Sequence, residues 1–97
     1  MTNRLGGFRF TVNPETAASI HDDGIVIFHT ASGSLYSSNG SGARIWRGIE
    51  QQLPLEAIAG EISAEFQIAD SSAREHVARF VAALERNELI QRKGEVQ

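Results

Sequence analysis

The chain has 97 residues, 41% of them apolar but only 7% aromatic, and carries a net charge of −3 with no cysteine. That length supports one domain with a modest aliphatic core, and the acidic balance argues against a whole-molecule field that attracts nucleic acid. A disulfide framework and a thiolate metal site are excluded, and the N-terminal MTNRLGGFRFTVNP holds no apolar run suited to a secretory signal or membrane span, so the expected compartment is the cytoplasm.

Residues 1–7 carry no pattern and are expected to be loose. Phe8, Phe10 and Val12 alternate with polar neighbours, a short extended segment ended by Asn13-Pro14. Thr16 to His21 patterns weakly as a strand, and Asp22-Asp23-Gly24 is a hairpin signal. Ile25-Val26-Ile27-Phe28 is the strongest strand, apolar on both faces and therefore central and covered on at least one side. Thr30 to Gly33 reads as a turn. Ser34 to Ser37 then forms a third strand and completes an antiparallel meander.

Three helices follow. The first opens at Asn39 or Ser41, either able to accept bonds from free N–H groups of the first turn, and presents Ile45, Trp46 and Ile49 on one face. The second opens on Pro54, whose missing N–H costs nothing at a first helical position, and carries Leu55, Ile58, Ile62 and Phe66 at helical spacing. The third follows Asp70-Ser71-Ser72, where Ser72 and Glu75 fit a capping box, and its apolar stripe is Val77, Phe80, Val81 and Leu84. Asn87 suits a left-handed closing residue. Leu89 and Ile90 return to the core or add a short strand. The expected fold is α+β, a three-stranded antiparallel sheet followed by three helices, in the plan of a winged helix-turn-helix.

Catalytic signals are missing. The serines sit in turns and caps, where hydroxyls bond backbone, and none lies in a nucleophile elbow. Gly40-Ser41-Gly42 opens a helix but lacks the lysine of a phosphate loop, so it reads as a cap. His21, His29 and His76 are scattered without metal-ligand spacing and read as surface residues, His76 near enough to the apolar stripe to line a groove. The expectation is a protein without enzymatic activity, metal or cofactor.

Trp46 reads as core, although Arg44 and Arg47 beside it leave a base-stacking role open. The third helix carries Arg74, Arg79 and Arg86 against Asp70, Glu75, Glu85 and Glu88, and the chain has a single lysine, Lys93, so there is no phosphate-binding stripe. The third strand, in contrast, holds no Pro, Lys or Glu to guard its edge. An unguarded edge beside an amphipathic helix suits β-augmentation, in which a guest peptide pairs with the strand and drops side chains against the helix.

Asn13-Pro14, Asp23-Gly24, Ser32 to Tyr36, Asn39-Gly40-Ser41-Gly42-Ala43-Arg44-Ile45-Trp46 and Leu89-Ile90 together resemble the pyrroloquinoline quinone synthesis protein D (PqqD-like) family. The Asn39–Trp46 segment carries most of the specificity. The resemblance implies a domain over 13–91, between a loose N-terminal arm at 1–12 and a C-terminal tail at 92–97. It implies a winged-helix-like fold that binds peptide, with the leader of a ribosomally made precursor added as a strand beside the third strand and leaning on the third helix. Carried over, the peptide-binding residues are Ser34, Leu35, Tyr36 and Ser37 on the strand and Arg74, Val77, Ala78 and Val81 on the helix. The implied partner is a modifying enzyme, often a radical S-adenosylmethionine enzyme, or a protease or cyclase in lasso-type pathways. No cofactor is implied for the domain itself. The chain departs from the family pattern at Ser38, where Leu is usual, at His76, where an acid is frequent, and at Asn87-Glu88, where Gly is frequent. Two other readings share the fold: a DNA-binding winged-helix regulator, and a module that dimerises through the edge strand.

Overall fold

The computed structural model describes residues 9–94, without the side chains of the last two. Its elements are β1 (Arg9–Val12), β2 (Thr16–His21), β3 (Gly24–His29), β4 (Leu35–Asn39), α1 (Gly40–Glu50), α2 (Leu55–Phe66), α3 (Asp70–Arg86) and β5 (Ile90–Gly94). The antiparallel meander runs β2-β3-β4 with β3 in the centre, and the α+β layout of a sheet with three helices is present.

One strand pair lies outside the expected plan. β1 pairs antiparallel with β5, Val12 opposite Ile90, and Phe10 is buried beneath the pair. The segment expected to be loose is therefore a strand from Arg9 onward, and the expected tail is a strand to Gly94. Phe10 explains both: its ring enters the core on one side, and Arg92 stacks over it with the guanidinium carbon 5.8 Å from the ring centroid. The expectations for residues 1–8 and 95–97 fall outside the described residues.

The core lies between the inner sheet face and the helices. Ile25 and Ile27 of β3 face inward with Ile45, Trp46 and Ile49 of α1, Leu55, Ile58 and Ile62 of α2, and Val77, Phe80, Val81 and Leu84 of α3. Trp46 is 1% exposed, which removes a base-stacking role. Phe66, expected in the α2 stripe, is instead 41% exposed because the helix ends there and Gln67 turns left-handed at φ 56°. β3 is covered on one face only: Phe28 lies on the outer face beside the exposed Leu35.

The helix starts follow the sequence in part. Asn39 caps α1, its Oδ1 accepting from the Gly42 N–H at 3.2 Å. Pro54 stands just before α2 rather than within it, in extended conformation. The expected capping box of α3 does not form. Ser72 lies inside the helix, Ala69 takes the cap position without a side-chain bond, and the Asp70 carboxylate accepts from Ser63 Oγ at 2.8 Å. At the far end Glu88, not Asn87, is left-handed, at φ 62°.

Two contacts fix α1 in place. A Cβ on Gly42 would run into Ser38 Oγ and lie 3.1 Å from Phe80 Cε1, so only glycine lets the helix start wedge between β4 and α3. On its exposed side, Arg44 bonds Glu65 at 2.6 Å and Glu61 at 3.3 Å, clamping α1 to α2. The hydrogen bond to Glu65 raises the Arg44 pKa above its ordinary value; burial opposes this, and the charges of Glu61 and Glu65 add to it.

Candidate functional site

Strand β4 is an edge. Its inner side pairs with β3, and no other strand pairs with its outer side among the described residues. The direction of its free backbone groups follows from the hairpin. The His29 N–H donates to the Ser34 carbonyl at 2.9 Å. Antiparallel ladders alternate bonded and non-bonded pairs, so in the observed register Ile27–Tyr36 and Ile25–Ser38 are the bonded pairs. Tyr36 and Ser38 spend their N–H and C=O on β3. Leu35 and Ser37 point theirs outward.

Side chains alternate the other way. Tyr36 and Ser38 look toward α3 and, with His76, Arg79, Phe80, Ala83 and Arg86, line an open groove of about 320 Å³. Its floor is aromatic, the Tyr36 and Phe80 rings lying 6.0 Å apart. A second hollow of about 450 Å³ continues past the end of β4 between Ile62, Phe66, Ile68 and Ser72, and His76 and Arg79 border both. Ser38, where the resemblance leads one to expect Leu, is one of the residues lining the first groove.

His76 is tied to the start of α1. Asn39 Oδ1 accepts from both the Gly42 N–H and the Ser41 hydroxyl, the latter at 2.8 Å. The Ser41 proton being spent there, its oxygen accepts from His76 Nε2–H at 2.7 Å. A hydrogen-bonded chain thus joins the end of β4, the cap of α1 and the groove wall.

The strand residues singled out in the sequence come together at this edge. Leu35 is 66% exposed, Ser34 and Ser37 are exposed and Tyr36 is half-buried. The helix residues do not. Val77 and Val81 are buried in the core, and Arg74 and Ala78 lie on a half-buried flank away from the groove lining. At about 100° per residue the groove face of α3 is the row through 76, 79, 80 and 83, one step round from the core stripe. Sequence alone identifies the stripe but not which flank meets β4. His29, read as a surface residue, is buried at the β3–β4 turn, where its Nδ1 accepts from the Ser32 N–H at 3.2 Å.

Among the described residues, no group of three His, Asp or Glu side chains could hold a metal ion, and no helix is long and apolar enough to cross a membrane.

The fold is similar to two solved structures. One is TbiB1 in complex with the TbiA(beta) leader peptide, 24% identical, TM-score 0.76, covering 90% of this chain and 99% of that one. The other is lasso peptide synthetase B1 complexed with the leader peptide, 22% identical, TM-score 0.76, covering 84% of this chain and 96% of that one. At these identities the likeness is one of fold. No curated protein matches the sequence significantly. Residues 24–90, well over half of the chain, match the family described as coenzyme PQQ synthesis protein D (PqqD), from the start of β3 through the three helices to Ile90. The chain belongs to the coenzyme PQQ synthesis protein D family.

Proposed function

We propose that this protein is a noncatalytic recognition element that takes the leader segment of a ribosomally made precursor peptide as an added strand on β4 and presents it to a modifying enzyme. The observation that carries this reading is the free ladder of Leu35 and Ser37 beside a groove floored by Tyr36 and Phe80. Backbone pairing supplies affinity and the groove reads alternate side chains. The two similar solved structures are complexes with leader peptides, which supports a leader peptide as the guest here.

In this reading the strand residues act through Leu35 and Ser37 backbone and the Tyr36 ring, with Ser34 at the entrance. The helical wall is His76, Arg79, Phe80 and Ala83. The chain itself needs no cofactor and works in the cytoplasm, where precursors are translated. Its second partner is a radical S-adenosylmethionine enzyme or a lasso-type protease or cyclase. Duplex DNA is a poorer guest, because Glu75 stands between the groove arginines and the start of α3, where Asp70 adds a further negative charge. Dimerisation through β4 would occupy the same ladder and compete with peptide.

The test is a titration of the isotope-labelled protein with a synthetic leader from the precursor gene neighbouring its own. Amide shifts concentrated in residues 33–38 and on the 76–83 face of α3 support the proposal. Saturable binding whose shifts miss both would overturn it.

A further inference from the structure

The groove is positively charged in a protein that is negative overall. The net charge is −3, yet the wall facing β4 presents Arg79 and Arg86, with His76 beside them. The two arginines lie seven residues apart, hence two turns, on one face of α3. Among the described residues Arg79 has one ion pair, a 3.3 Å contact to Glu75 one turn back, with side chains 73% and 68% exposed. Such a pair is weak and easily exchanged for a better partner. No ion pair joins Arg86 to any other described residue. Arg86 does complement the C-terminal partial charge of α3. That role would be served on any flank of the last turn, whereas Arg86 stands on the flank that lines the groove.

A guest strand on β4 turns every second side chain toward α3, spaced by about 6.7 Å. Arg79 and Arg86 are separated by about 10 Å along the helix axis. Along that axis Arg79 lies about 4 Å before the midpoint of Phe80 and Ala83 and Arg86 about 7 Å beyond it, so a guest residue seated there has a long, flexible arginine on each side within reach of its neighbouring inward positions. We propose that the guest segment carries an acidic side chain, recognised by Arg79 or Arg86, two positions from an apolar side chain that rests on Tyr36 and Phe80. This rests on the strand-addition reading and adds to it the chemical class of the guest.

Selection of a random decapeptide display library on the immobilised full chain tests the proposal. The expected result is enrichment of an acidic residue two positions from a large apolar one, about tenfold over Gln or Asn at that position, as a charge-assisted hydrogen bond allows. An Arg79→Glu/Arg86→Glu variant should select Lys or Arg there instead. If charge reversal impairs folding, Arg79→Gln/Arg86→Gln takes its place, and the acid preference should vanish. Enriched peptides that shift the Leu35 and Ser37 amides but carry no acid, or an acid preference unmoved in the variants, would overturn this inference and leave strand addition standing. Failure to enrich any peptide that shifts those amides would overturn both.

Discussion

The ring of Tyr36 on the edge strand meets that of Phe80 on α3, centroids 6.0 Å apart and planes tilted by 48°. This contact joins the two walls of the groove, but its two members differ in burial. Phe80 is 5% exposed and belongs to the core, while Tyr36 is half-buried. Phe80→Ala should therefore cost about 3–5 kcal/mol in urea unfolding, a large part of the stability of a domain this size. Tyr36→Ala should cost about 1 kcal/mol and weaken peptide binding about tenfold, measured by calorimetry.

Proline separates the two sides of β4. Ser37 directs its N–H outward, so Ser37→Pro should leave the fold intact by circular dichroism and abolish strand addition. Tyr36 directs its N–H to β3, so Tyr36→Pro should lower the melting temperature of the protein itself. Equal stability of the two variants would contradict the hydrogen-bond alternation inferred for this edge.

The cap of α1 depends on one amide. Asn39 Oδ1 serves both the Gly42 N–H and the Ser41 hydroxyl. Asn39→Ala should cost about 1 kcal/mol in unfolding and also free the Ser41 hydroxyl, whose oxygen accepts from His76. The His76 ring resonances should move, although the residues lie far apart in sequence.

Helices α1 and α2 meet at Gly48. A Cβ there would lie 2.7 Å from Ile58 Cγ1 and 2.9 Å from its Cδ1, and Ile58 is buried. Gly48→Ala should destabilise by about 1–3 kcal/mol despite the better helix propensity of alanine. Combined with Ile58→Ala, it should cost less than the sum of the two single changes, because the methyl then fills part of the cavity.

Much of the fold was legible in the sequence because period and burial coincide there. The inner residues of β3 and the α3 stripe of Val77, Phe80, Val81 and Leu84 need no partner information to be placed in a core. The pairing of β1 with β5 was not legible. It joins Val12 to Ile90 across nearly the whole chain, so the alternation of Phe8, Phe10 and Val12 marks an extended segment without showing its partner. The edge of β4 could be read because an unguarded strand is a local property. The groove wall could not, since choosing between the flank of Arg79 and that of Ala78 requires the position of α3 relative to β4. His29 was missed for a related reason: its burial comes from a turn that folds back over it, not from its own strand pattern.

The central claim is that a guest backbone completes the ladder on the outer side of β4. Hydrogen exchange of the Leu35 and Ser37 amides, followed with and without a saturating leader peptide, tests it most directly. Both amides should exchange freely in the unbound protein and become strongly protected when peptide is bound, while those of Tyr36 and Ser38 change little. A bound peptide that leaves Leu35 and Ser37 unprotected, or protects the edge of β2 in their place, would contradict the account.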